Sequence, residues 1–331
     1  MEDMAKEPSS VLGKKLTPGQ IAVYGVVSAV WIGFLTLSLL QQPDNDSPYR
    51  FTELQRILLQ LTIAVPYLFI WLAAFFGALQ LRAYQASLVE GEHRRAFLKI
   101  GDGLLWLALS LPITSMVSSI RNQPTLDAAY PALTILLNHL YVLFPLIGFY
   151  RLFIGARILA KEAGAELKTR SMVLMAISAA AVAAVQLFFM FTDTARNVAP
   201  EGGHATFYLP DPLLVTDYVI PTAFSIVFAV LAASYLGGFL KKSAAVIYEK
   251  SLPPLIWGLT LIMTSTIILQ LLLSLGSTRL LALGLGAILL IVYVFLGIQV
   301  AGYLLVAQGT GRLARLQATL ARYQTHIPTN D

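Results

Sequence analysis

PYLFIWLAAFFGA (residues 66–78) and PTAFSIVFAVLAA (residues 221–233) decide the architecture. Each lies inside an apolar run of more than 20 residues with almost no charge. At 1.5 Å of rise per residue, about 20 such residues cross a hydrocarbon core about 30 Å thick. In lipid a single segment can satisfy its backbone polar groups only as a helix. Both stretches therefore read as membrane-spanning helices.

The rest of the chain follows suit. Apolar runs at about 21–40, 58–81, 103–120, 131–155, 172–192, 213–237, 254–275 and 280–306 predict eight spans in an all-α, polytopic transmembrane helical bundle. Of 331 residues, 57% are hydrophobic and 12% charged, with a mean hydropathy of +0.71. Soluble domains carry about 25% charged residues, so there is too little charge to cover a water-soluble surface. A soluble globular enzyme is excluded. Cysteine is absent, which removes disulfides, thiolate metal sites, iron–sulfur clusters and a cysteine nucleophile.

Lysine and arginine assign the sides of the membrane. One set of segments carries Lys6, Lys14 and Lys15; Arg82, Arg94, Arg95 and Lys99; Arg151, Arg157, Lys161, Lys168 and Arg170; Lys241, Lys242 and Lys250; and Arg312, Arg315 and Arg322. The alternate segments carry Arg50, Arg56, Arg121, Arg196 and Arg279. This alternation follows eight spans without a phase slip and predicts a multi-pass inner-membrane protein with both termini cytoplasmic. It also accounts for the pI near 9.3 without nucleic acid, because the charges flank spans and do not cluster on a binding face. The polar start, with no small-residue cleavage site after the first span, reads as an uncleaved anchor.

Compared with itself, the chain suggests two parallel four-span repeats. Pro66, Phe69, Ala74 and Ala78 match Pro221, Phe224, Ala229 and Ala233 at a spacing of 155. Leu104 and Trp106 match Leu255 and Trp257, while Leu111, Thr114 and Ser115 match Leu261, Thr264 and Ser265, at a spacing of 151 and then 150. Spans four and eight give no comparable register. The expected organisation is a cytoplasmic tail (1–20), two repeats (21–168 and 169–306) and a cytoplasmic amphipathic tail (307–331) lying on the inner leaflet. An even number of spans per repeat aims both halves the same way, so that the pseudo-twofold axis lies along the membrane normal. Alanines four apart, at Ala74 and Ala78, at Ala229 and Ala233 with Gly237, and at Ala176, Ala180 and Ala184, suit close helix packing. Pro66 and Pro221 are expected to kink equivalent spans.

Candidates for chemistry are few. The chain lacks phosphate-loop, HExxH, GxSxG and GxGxxG motifs. All its lysines lie outside the spans, and no catalytic set, metal set or cofactor is expected. Within the spans, His139 lies about 12 Å from the outer end of span four by helix rise, Asp217 about one turn into span six, and Asp193 at the outer end of span five. A His–Asp pair there suits a cation or a proton. Ser110 and Thr114, with Thr260 and Thr264, form hydroxyl stripes on spans three and seven, suited to a polar path or to bonding their own helix.

Phe207-Tyr-Leu-Pro-Asp211, followed by a span opening Val219-Ile-Pro221, resembles uncharacterised multi-pass integral membrane proteins of bacteria with reduced genomes. That resemblance implies a bacterial inner membrane and assigns no activity or site. The reading from the residues is a membrane protein that binds or moves a small solute or ion along the interface between its halves. The alternative is a non-catalytic scaffold, sensor or assembly partner. Membrane lipid, a small solute or ion, and a second copy or another membrane protein are the partners in view.

Overall fold

The computed structural model describes residues 53–86, 91–121, 131–165, 169–196, 219–243, 246–274 and 285–325, with Leu88, Leu167 and several helical positions between 22 and 33. Seven helices have defined ranges: α1 (Glu53–Ala86), α2 (Glu92–Arg121), α3 (Pro131–Glu162), α4 (Thr169–Arg196), α5 (Ile220–Lys242), α6 (Val246–Ser274) and α7 (Leu285–Thr325). The protein is all-helical among the described residues. Val65–Gln85, Val142–Glu162, Ile220–Lys242 and Leu290–Arg315 are long and apolar enough to cross a membrane, and Met172–Val185 is a shorter apolar stretch. Phe69, Phe76, Phe224 and Leu290 stand exposed along these helices, as lipid-facing side chains do. Of the first expected span, only positions between 22 and 33 are described, among them Trp31, buried in the core.

Six helices form a closed circuit of neighbours. α1 packs on α2, α2 on α3, α3 on α5, α5 on α6, α6 on α7, and α7 back on α1, while α4 lies against α5 and α6. One apolar core runs through all six. Tight connections fix the order. α3 ends in a Schellman-type turn, in which Gly164 takes φ +66° and the Ala165 N–H reaches Ala160 O at 2.7 Å, a left-handed step that favours glycine.

Glycines set how closely the helices approach. A Cβ on Gly103 of α2 would lie 2.7 Å from Gly148 O of α3, and one on Gly155 would lie 2.6 Å from Ala96 O. Across α6 and α7 the same contacts recur. A Cβ on Gly258 would lie 2.6 Å from Gly302 O, and one on Gly309 would lie 2.7 Å from Ser251 O. Gly103 and Gly258 are 155 residues apart; Gly148 and Gly302, like Gly155 and Gly309, are 154 apart. Ser110 and Ser265, also 155 apart, are both buried and donate to the carbonyl three residues back, each at 2.7 Å.

Taken as a repeat, these contacts pair Gly103 with Gly258 and Ser110 with Ser265 at a spacing of 155, where the sequence comparison has 150–151. Trp106 and Trp257 are not equivalent. Trp106 is half-buried, edge-on to Phe144 at 5.0 Å, whereas Trp257 is 64% exposed. Spans four and eight, expected to lack a register, share the glycine spacing.

The helices add further detail. α7 continues to Thr325, with Val306 and Leu313 buried in the core and Thr310 buried beside them. Ala176, Ala180 and Ala184 face outward, and Ala179 is the buried alanine of α4. Pro66 lies inside α1, and Pro221 lies among the first described residues of α5, two after Val219, whose backbone is itself helical (φ −70°, ψ −47°).

Gly103→Ala and Gly258→Ala are each expected to destabilise the bundle by about 1–3 kcal/mol, because the new methyl meets a backbone oxygen that cannot step aside. Gly297→Ala, with nothing within 4 Å of its Cβ, should be neutral or slightly stabilising. Unfolding by denaturing detergent in mixed micelles measures all three.

Candidate functional site

The ends of the helices sort by charge. Arg82 at the end of α1 meets Asp102 of α2 at 3.3 Å. Tyr84 stacks edge-on against Phe97 at 4.8 Å. His93 of α2 bonds Glu162 of α3, and its ring lies 5.8 Å from that of Phe239 of α5. Gln80 of α1 meets Thr310 of α7, and Arg312 meets the backbone of α6 at Lys250. These contacts gather Arg82, Arg94, Arg95, Lys99, Lys161, Lys241, Lys242, Lys250, Arg312 and Arg315 toward one end of the bundle, in keeping with the alternation read from the sequence.

Two seams join α1–α2–α3 to α5–α6–α7. Along the α1–α7 seam, Gly77 lies against Val306, Ala307 and Thr310, with 3.4 Å from its Cβ position to Thr310 Oγ1. One turn on, Thr310 Oγ1 donates to Gln80 Oε1 at 3.0 Å, sharing its proton with Ala307 O at 3.1 Å. Toward the opposite end, the hydroxyls of Thr62 and Tyr293 bond at 2.8 Å. The α3–α5 seam is aromatic. Phe153 stacks on Phe228 at 5.4 Å and tilts against Tyr235 at 6.0 Å, and Tyr150 meets Phe228 at 5.3 Å.

Of the sequence-derived site residues, Ser110, Thr260, Thr264 and His139 have described side chains. Ser110 is buried and donates to Leu107 O. Thr260 is part-buried and donates to Ile256 O, while Thr264 is exposed and donates to Thr260 O, both at 2.9 Å. These hydroxyls thus serve their own helices, which is what serine and threonine do in apolar surroundings. His139 is exposed on α3. Thr114 lies in α2 and Asp193 in α4, with side chains outside the described residues; Asp217 and the loop residues 207–211 lie outside them altogether.

Sequence reasoning missed the Gln80–Thr310 bond, because glutamine at the end of a span reads as an interfacial residue. It also missed Gln299, a buried carboxamide of α7 whose Oε1 has no hydrogen-bond partner among the described residues. No family model, curated protein or solved structure matches the chain.

Thr310→Val is expected to cost about 0.5–1.5 kcal/mol, the net value of an interhelical hydrogen bond in a membrane protein together with the stranded Gln80 acceptor. Gln80→Leu in the same background should recover part of that loss. A double-mutant cycle in mixed micelles reads both.

Proposed function

We propose that this is a multi-pass protein of the bacterial inner membrane, built from two related halves, with its basic end in the cytoplasm. In this reading it binds a small cation or proton at the outer end of the interface between the halves. The recurrence of the glycine contacts supports the two halves: advancing 155 residues from α1 and α2, or 154 from α3, reaches the matching positions of α5, α6 and α7.

One observation carries the binding reading. The Thr62–Tyr293 hydrogen bond joins the seam at the end away from the basic residues. By the same spacings, Thr62 corresponds to Asp217 and Tyr293 to His139. The two residues picked out separately as ionisable groups in spans are thus the counterparts of a pair that touches. By sequence spacing, a carboxylate and an imidazole take the places of the two neutral hydroxyls, a pair suited to a proton or a cation.

A second reading, a non-catalytic scaffold or assembly partner, has an observation of its own. Along both described seams the space is filled by small and aromatic side chains, and Ser110, Thr260 and Thr264 spend their hydroxyls on their own helices. Nothing there favours passage along the seam, so binding at its end is preferred to conduction through it.

His139→Ala and Asp217→Asn test the pair. Their stabilities should be non-additive by about 0.5–3 kcal/mol at neutral pH, the range for residues in contact, and pyranine-loaded proteoliposomes should show no proton flux above that of lipid alone. Additive effects would remove the ion-binding reading and leave the scaffold. Proton flux abolished by either variant would instead establish conduction.

A further inference from the structure

A second feature lies at the basic end, away from both seams. Lys250, Pro253, Pro254 and Trp257 of α6 and Leu305, Arg312 and Arg315 of α7 line an open groove of about 720 Å³. From this groove we infer a binding site for an anionic phospholipid of the leaflet at the basic end, headgroup phosphate toward the cations and acyl chains along the apolar wall.

The helix chemistry explains why the groove exists. Pro254 has no N–H, so the carbonyl of Lys250, four residues back, loses its intrahelical donor. Arg312 fills the vacancy, its Nη1 donating to Lys250 O at 2.9 Å. That bond holds the Arg312 guanidinium at the groove with further N–H donors in a fixed planar fork, the geometry that suits phosphate oxygens. Lys250 and Arg315 are exposed beside it, and among the described residues no carboxylate lines the groove. Below the cations the wall is apolar: Pro253, Pro254, Leu305 and the exposed indole of Trp257. Tryptophan is enriched at headgroup level, and basic pockets between spans on the positively flanked side take anionic headgroups.

The first half supplies an internal control. By the glycine spacings the corresponding positions are Arg95, Leu98, Lys99 and Asp102 on α2, with Arg151, Ile158 and Lys161 on α3. There Trp257 is replaced by Asp102, which is paired with Arg82, and Arg95 is paired with Glu92 at 2.8 Å. The equivalent face thus carries its own carboxylates and lacks both the twin prolines and the indole. Cations occur on both faces; among the described residues, the α6–α7 face is the one that couples them to an apolar wall.

The test uses the full-length protein in detergent and native mass spectrometry with phosphatidylglycerol, phosphatidylcholine or glycerol 3-phosphate as probe. Wild type should retain phosphatidylglycerol in preference to phosphatidylcholine and should not retain glycerol 3-phosphate. Lys250→Gln with Arg315→Gln should weaken phosphatidylglycerol retention at least fivefold, whereas Arg95→Gln with Lys99→Gln, which removes equal charge from the other half, should leave it within twofold. Equal retention of the two lipids, equal loss in the two double variants, or tight binding of glycerol 3-phosphate alone would each overturn the site. Should the groove variant fail to fold, brominated-chain phosphatidylglycerol on the wild type decides. It should quench tryptophan emission more than brominated phosphatidylcholine does, and Trp257→Phe should abolish the difference; no difference between the lipids refutes the proposal.

Discussion

Backbone-to-backbone approach at glycine is the constraint on which the other contacts depend. In water, burying apolar side chains would hold the helices together; against lipid tails as apolar as leucine, that drive is absent, and association rests on close contact and on hydrogen bonds. Gly103 and Gly148, and likewise Gly258 and Gly302, bring carbonyl oxygens to where a side chain would otherwise stand. Weak Cα–H···O contacts and dense dispersion become available at such distances. The approach also positions what lies nearby. Gly309 seats α7 on Ser251 O, and one turn further along Arg312 comes within bonding distance of Lys250 O. Without that glycine, the freed carbonyl and its guanidinium would be held apart, and the groove between α6 and α7 would have a different floor.

The polar groups follow from the same constraint. Hydroxyls in these helices donate to carbonyls three or four residues back, as at Ser110, Ser225, Thr260 and Ser265. Where a polar side chain crosses between helices it does so at a seam, as Thr310 does to Gln80. Trp31 Nε1, Ser251 Oγ and Gln299 Oε1 are the buried side-chain atoms without a partner among the described residues. Each such atom carries an unrecovered desolvation cost of about 1–3 kcal/mol. Ser251 is the residue whose carbonyl oxygen lies against Gly309, as that of Ala96 lies against Gly155.

Helical class was legible because it rests on composition and on span length, which need no partner helix to be known. The register between spans three and seven was not. Trp106 and Trp257 are rare, identical and four positions out of phase, and they drew the alignment to a spacing near 150. The informative residues were glycines. Gly148 and Gly155 are seven apart on α3, as are Gly302 and Gly309 on α7, and a glycine repeated every second turn marks one helix face with space for a neighbour. Ala176, Ala180 and Ala184 illustrate the opposite error: small residues four apart permit close packing without requiring it, and in α4 that face is left outward.

Equivalent frames make the differences between the proposed halves informative. Positions that set helix distance are held in kind on both sides: glycine opposite glycine, Ser110 with Ser265, Leu159 with Leu313. Positions that meet solvent, headgroups or a seam end are not. Asp102 stands against Trp257, Lys99 against Pro254, and Thr62 and Tyr293 against Asp217 and His139. A bundle that needed only to be stable could keep its two faces alike, since the same backbone supports either set of side chains. A proline pair inside α6 removes two hydrogen-bond donors, and Arg312 caps one of the two carbonyls left without them, that of Lys250. Such a substitution gains nothing in packing over the Leu98–Lys99 pair of the other half; what it adds is an apolar wall next to three cations. The departures from symmetry, not the symmetric core, are therefore where binding is expected.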